Sequence, residues 1–129
     1  RVIDNPIFRD RLMKIQGRVL AMKCNDMRLL SARINKGQDA KLAGMIVKLL
    51  GTELRHELEA LAIDVMGEIG IAYGDNPYLR GNGSWQYQYM LFLGLIIGGG
   101  TSQIQKNIIS ERGLGMPREP KPAAKANAS

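Results

Sequence analysis

Cysteine, histidine and aromatic side chains are scarce in this chain of 129 residues, which has one Cys, one His and 5% aromatics. A lone cysteine, Cys24, excludes an internal disulfide framework and suits a reducing cytoplasm. Its setting mid-helix among Lys23, Asn25 and Arg28 offers no partner base, so it reads as an ordinary half-buried residue. A lone histidine, His56, has Glu53, Glu57 and Glu59 nearby but no second imidazole to complete a zinc shell, so a solvated charged helix face is the better reading. No apolar run reaches the roughly 18 to 20 residues of a membrane span, and residues 90–97 stop at a glycine triplet. The first residues include Asp4 and lack the apolar stretch of a secretory leader, so none is expected. The shortage of stacking rings also weighs against nucleic acid. Although 18 Lys and Arg against 12 Asp and Glu give a net charge of +6, the cations are spread along the chain rather than gathered into a basic face. That charge suits a solvated surface, an anionic cofactor or an acidic partner subunit.

What the chain does have is helical periodicity. With 45% hydrophobic residues it can bury the core of one domain. Asp4-Asn5-Pro6 offers a capping side chain followed by a proline suited to a first turn, and Leu12, Ile15, Val19, Met22, Leu29 or Leu30, and Ile34 then recur at helical spacing. A long helix over 5–35 is predicted, ended by Gly37. Gln38-Asp39 opens a second, with Leu42, Ile46, Leu49, Leu50, Leu54, Leu58, Leu61 and Val65 on its apolar stripe, running to Gly67 and Gly70. So short a turn makes the two antiparallel. Residues 67–84 have loop composition, Ser84 is placed to cap a third helix through Tyr89, Leu91 and Ile96, and Thr101 or Ser102 to cap a fourth through Ile104, Ile108 and Ile109. The expected fold is all-α, an up-down four-helix bundle over 1–116 with a flexible tail over 117–129. Its core is expected at Leu12, Ile15, Val19, Met22, Leu30, Leu42, Ile46, Leu49, Leu54, Leu58, Leu61, Val65, Leu91, Ile104 and Ile108.

One segment carries chemical information. Gly98-Gly99-Gly100 directly precedes a helix with Thr101, Ser102 and Gln103 in its first turn, which leaves backbone N–H groups free and permits close approach of a phosphate, a carbonyl oxygen or a flavin edge. By spacing alone the pattern is weak, and a purely steric helix break is the better reading. The wider sequence is more specific. Gly99-Gly100-Thr101-Ser102-Gln103-Ile104, running on to Glu111-Arg112-Gly113-Leu114-Gly115-Met116-Pro117, closely resembles the C-terminal signature of acyl-CoA dehydrogenases. In that signature Gly-Thr-Ser/Asn-Glu/Gln-Ile leads into a helix ending Glu-Arg-x-Leu-Gly-x-Pro. Upstream, Asp64-Val65-Met66-Gly67-Glu68-Ile69-Gly70 is similar to the family's Leu-Gly-x-x-Gly turn.

The resemblance implies a flavoprotein of lipid metabolism that forms an α,β double bond in an acyl-CoA thioester, with FAD as cofactor and an electron-transfer flavoprotein as electron acceptor. This chain would be its C-terminal bundle. The family's N-terminal helical and middle β domains do not fit within 129 residues. By position the resemblance assigns Thr101, Ser102 and Gln103 to FAD, Gly100 to the thioester, and Asp64, Val65, Met66, Gly67 and Glu68 to the adenine end of FAD across a subunit interface. A homodimer, tetramer or hetero-oligomer is implied, and self-association is expected of the isolated bundle. Two departures stand out. Many members have a Glu base where this chain has Gly99, and glycine cannot abstract a proton. Either the base lies on another helix upstream, or the subunit is non-catalytic. Asp64 and Glu68 stand where Gln and Gly are common, and their charge is unfavourable beside a pyrophosphate. The reading from a different class is a free-standing helical oligomerisation module. No catalytic residue or metal site is assigned within the chain.

Overall fold

In a computed structural model the structure describes residues 1–35, 40–118 and 120, with the side chains of 40–42 excepted. The expectations for Gly37, Gln38, Asp39, the Leu42 side chain and most of the tail lie outside the described residues. Everything regular among those described is helical: α1 (Pro6–Ile34), α2 (Ala40–Met66), α3 (Ser84–Ile97) and α4 (Ser102–Ile108). Short 3-10 turns occupy Val2–Asp4, Gly67–Ile71 and Gly81–Gly83, and a π-helical turn, Ile109–Gly113, follows α4. No described helix is long and apolar enough to cross a membrane.

The helix starts follow local chemistry. Asn5 caps α1 by accepting the Ile7 N–H at 2.9 Å, and Pro6, which has no N–H to satisfy, takes the first helical position. Ser84 does not cap α3 as expected. The left-handed run Gly81, Asn82, Gly83 puts the glycine at the capping position and makes Ser84 the first helical residue.

The α2 helix is the central element, against which α1, α3 and α4 all pack. At about 3.6 residues per turn, Ala43, Leu50, Leu54, Leu58, Leu61 and Val65 share one side of it. That side meets α1: Ile15, Leu54 and Leu61 are buried together, flanked by Phe8, Leu12, Met22, Leu58 and Val65. Asn25 donates to the Ala43 carbonyl at 3.1 Å, and Arg11 pairs with Asp64 at 2.7 Å, which fixes the two helices antiparallel. Arg18 pairs with Glu57 across the same seam. These pairs are half exposed to solvent and set register more than stability.

Lys48, Arg55, Glu59 and Ile63 point roughly the opposite way, toward α3. The Arg55 guanidinium lies 5.1 Å from the centre of the Phe92 ring and pairs with Glu59 at 2.6 Å, while the His56 and Tyr89 rings stand 4.8 Å apart. This overturns the reading of the His56 and Glu59 segment as a solvated face, because α3 covers it and Glu59 is fully buried. At the far end Gly70 packs so closely on α2 that an added Cβ would sit 2.5 Å from the Ile63 carbonyl oxygen.

With α1 and α3 on opposite flanks of α2, each has an outer face that nothing among the described residues covers. Val19, Leu30, Leu91 and Ile104, expected in the core, are exposed, and Cys24 is exposed rather than half-buried. Leu58, Ile46 and Ile108 are half-buried.

Substitution should follow this layering. Leu61→Ala is expected to cost about 2–5 kcal/mol and Leu58→Ala the lower part of that range. Leu30→Ala should change stability by less than about 0.5 kcal/mol. Urea unfolding of the three variants checks the order. Equal losses at Leu61 and Leu30 would show that α1 packs by its other face.

Candidate functional site

The glycine triplet folds into a loop held from two sides. Gly98 ends α3, and Gly99 and Gly100 take φ values of +69° and +102°, where a side chain would be strained. Lys48, reaching across from α2, donates to the Gly100 carbonyl at 2.6 Å and to the Ile96 carbonyl at 3.0 Å. The Ile96 contact satisfies a carbonyl in the last turn of α3, where a cation also complements the helix dipole. From the other side Gln105 donates to the Gly99 carbonyl at 2.7 Å. A Cβ on Gly100 would come within 3.0 Å of the Gln105 amide nitrogen, so the clamp and the glycine require each other. Thr101 caps α4, its hydroxyl oxygen accepting the Ile104 N–H at 3.3 Å. That leaves the Thr101 hydroxyl proton free to donate outward.

The residues predicted from sequence are thus distributed over two places. Gly99, Thr101 and Gln103 are exposed on the clamped loop and its helix, with Gly100 and Ser102 half-buried beside them. Asp64, Val65, Met66, Gly67 and Glu68 lie at the C-terminal end of α2. Between Lys48 and Asp64 that helix rises about 24 Å, so the two groups do not share one site within a chain. Asp64 is engaged by Arg11, Val65 packs against the Ile15 cluster, and Gly67 and Glu68 are exposed. The position equivalent to the family's carboxylate, Gly99, faces Lys48, whose Cε would lie 4.0 Å from an added Cβ.

Lys48 and Gln105 are the residues that sequence reasoning missed. By charge alone Lys48 reads as one more of the solvated cations spread along the helices, yet it interrupts the run Met45-Ile46-Val47-Lys48-Leu49-Leu50, and a cation inside an apolar run is a sign of a specific partner. Elsewhere among the described residues, the buried polar atoms His56 Nδ1, Glu59 Oε2 and Gln86 Oε1 lack partners. The last borders a cavity of about 550 Å³ formed by Ile63, Gly70, Ala72, Tyr73, Tyr89 and Met90. No group of three or more potential metal ligands converges among the described residues.

The chain is thus an all-helical domain in which a clamped glycine loop feeds a Thr-capped helix, and known proteins share its sequence and fold. Residues 1–114 match the family model described as acyl-CoA dehydrogenase, C-terminal domain. The chain belongs to the acyl-CoA dehydrogenase family. It is 34% identical over 120 residues to the acyl-CoA dehydrogenase IpdE1 of Mycobacterium tuberculosis, covering 92% of this chain and 29% of that protein. The acyl-CoA dehydrogenase FadE26 of the same organism is 27% identical over 124 residues. Among solved structures, the ChsE4-ChsE5 complex from Mycobacterium tuberculosis superposes with a TM-score of 0.76 at 26% identity, covering 93% of this chain and 30% of that one. The Tcur3481-Tcur3483 steroid ACAD gives 0.76 at 21% identity, covering 92% of this chain and 30% of that one, which supports the fold alone. The chain spans under a third of the length of the relatives it matches.

Lys48→Met should release the loop. Losing two charge-assisted bonds is expected to lower stability by about 1.5–3 kcal/mol and to speed amide exchange at Gly98 and Gly100, whose N–H groups donate to the Gly94 and Ile97 carbonyls. Unaltered exchange there would show the loop to be held by Gln105 alone.

Proposed function

We propose that this chain is the C-terminal domain of an FAD-dependent oxidoreductase that forms an α,β double bond in an acyl-CoA thioester and passes the electrons to an electron-transfer flavoprotein. The observation that carries the reading is the loop clamped by Lys48 and Gln105, presented by a chain of the acyl-CoA dehydrogenase family. The residues fit a flavin and thioester on steric and chemical grounds. Glycine at 99 and 100 leaves room for close approach, the Thr101 hydroxyl can donate, and Gln103 is exposed with both amide donors and its carbonyl oxygen. When bound, FAD supplies the acceptor for the hydrogen leaving the β carbon.

This chain's share of the work is positioning. Thr101, Ser102 and Gln103 hold the cofactor edge and Gly100 lies against the thioester. Asp64, Val65, Met66, Gly67 and Glu68 meet the adenine end of a cofactor held by a neighbouring subunit, which suits their place about 24 Å away along α2. The α proton must go to a base that this chain does not provide. Gly99 has no side chain, and Lys48 meets that position already donating to two carbonyls. The base therefore lies on another part of the full-length protein. Cys24 stays a free, exposed thiol in a reducing cytoplasm. The structural relative ChsE4-ChsE5 is a complex of two proteins, and we read this chain likewise as belonging to an oligomer, of like or unlike subunits.

A second reading has an observation of its own. The missing carboxylate at Gly99 equally describes a non-catalytic subunit that binds cofactor or acyl-CoA and depends on a partner for proton abstraction.

Stopped-flow measurement of flavin bleaching in the full-length protein by a panel of acyl-CoA thioesters separates them. The first reading expects bleaching without a partner, and the second expects it only after a partner subunit is added. A full-length protein that binds neither FAD nor acyl-CoA under any pairing would contradict both. The 129-residue chain alone is expected to hold no FAD and oxidise nothing, since it spans under a third of its relatives.

A further inference from the structure

Lys48 carries the one formal charge on the segments that hold the glycine loop. Residues 43–52 of α2 have no other ionised side chain, and from Gly81 to Gln105, through all of α3 and the loop, the sequence has no Asp, Glu, Lys, Arg or His. Lys48 is half-buried and pairs with no carboxylate among the described residues. Two of its three donors are committed to neutral carbonyls, those of Ile96 and Gly100. A cation withdrawn from water without a counter-ion is unfavourable, and neutral acceptors offset only part of that cost. A negative charge arriving at the loop would meet the remainder.

Geometry fixes the side from which that charge comes. A trans peptide is planar, with its C=O and N–H pointing in opposite directions, and no described peptide bond is cis. The Gly100 carbonyl points at Lys48 from 2.6 Å, so the N–H of the same peptide unit, that of Thr101, points away from α2. No acceptor among the described residues meets that N–H, and Thr101 is exposed. The preceding peptide unit is occupied at both ends, its carbonyl by Gln105 and its N–H, that of Gly100, by the Ile97 carbonyl. A carbonyl that accepts from a cation polarises its whole peptide unit, and the N–H at the other end becomes a stronger donor and a readier acid. The charge of a lysine on the inner side of the loop is thereby presented on the outer side, at Thr101.

We propose that Lys48 is a positioning residue that charges the Thr101 N–H, so that the loop takes a negatively charged oxygen of its ligand in preference to a neutral one. This deepens the functional reading and rests on it for the identity of the ligand. Within that reading such an oxygen has two sources. One is the diphosphate of FAD, and the other is the thioester oxygen of an acyl-CoA as the α proton leaves and the bonding pair passes toward that oxygen.

One test uses the chain itself. Base-catalysed amide exchange removes a proton from nitrogen, so a nearby cation speeds it wherever no hydrogen bond protects the amide. In the 129-residue chain Lys48→Met is expected to slow exchange at Thr101 by at least about threefold while speeding it at Gly98 and Gly100. Lys48→Arg keeps the charge and is expected to hold Thr101 within about twofold of wild type. A purely mechanical clamp has no means of slowing Thr101. Faster or unchanged exchange there in Lys48→Met overturns the proposal.

The second test uses the full-length protein and two pairs of ligand forms that differ in charge: FAD against riboflavin, and the enolate of acetoacetyl-CoA against its neutral form, followed by enolate absorbance as a function of pH. A loosened loop weakens both members of a pair alike, whereas loss of the charge weakens only the anionic one. A fall of at least about tenfold in the preference of Lys48→Met for FAD over riboflavin assigns the oxygen to the diphosphate. An upward shift of about one pH unit in the ionisation of bound acetoacetyl-CoA assigns it to the thioester. If both preferences are unchanged, the proposal fails while the functional reading stands. If the full-length protein binds neither FAD nor acyl-CoA, the functional reading fails, and exchange at Thr101 still decides whether Lys48 charges that amide.

Discussion

Everything in this fold depends on α2 being shared between two layers. A helix that buries one stripe needs one partner, but α2 is apolar enough on one side to hold α1 and chemically varied enough on the other to hold α3 and the glycine loop. The α1 side is ordinary aliphatic packing. The α3 side combines a buried carboxylate, Glu59, with an arginine resting on Phe92 and a histidine beside Tyr89, and ends in the lysine that clamps residues 96 and 100. The rigid stripe thereby fixes where the loop stands, since Lys48 is only one residue from buried Leu49. Placing the adaptable loop on a rigid helix is how a fold keeps ligand contacts in position.

The same arrangement explains the unusual surface. Flanking a single central helix leaves two outer faces bare, and both α1 and α3 carry large exposed apolar residues there, among them Leu20 and Ile34 on the one and Met90 and Ile97 on the other. Such faces are costly in a free-standing monomer and natural in a domain that meets further parts of a larger protein. This accords with a chain that spans under a third of the family members it matches. Gly70, whose neighbour Ile63 leaves no space for a methyl group, belongs to the packing of α2 on its own following turn rather than to those surfaces.

Local chemistry was legible in the sequence, and long-range partnership was not. The Asn5-Pro6 start of α1, the Thr101 cap and the break at 98–100 could be read because caps and glycines act within a turn or two of the chain. Ile15, Leu49, Leu54 and Leu61 were identifiable because their stripes are aliphatic and periodic. Val19, Leu30, Leu91 and Ile104 carry the same signal but are left exposed, and periodicity does not say which stripe finds a partner. Glu59 and Lys48 were misread for a related reason: charged residues suggest solvent until the helix that covers them is known. The loop motif identified the family because its residues are tied to one another at short range, through the Gln105 and Thr101 contacts.

The central claim is that the Lys48-clamped loop is the surface this domain turns toward the flavin. Amide hydrogen exchange of the full-length protein, compared with and without FAD, addresses it most directly. The account predicts slower exchange on cofactor binding at Gly100, Ser102 and Gln103, with the outer face of α1 unchanged. Exchange at those three amides that is indifferent to FAD, while protection appears elsewhere in the domain, would contradict it.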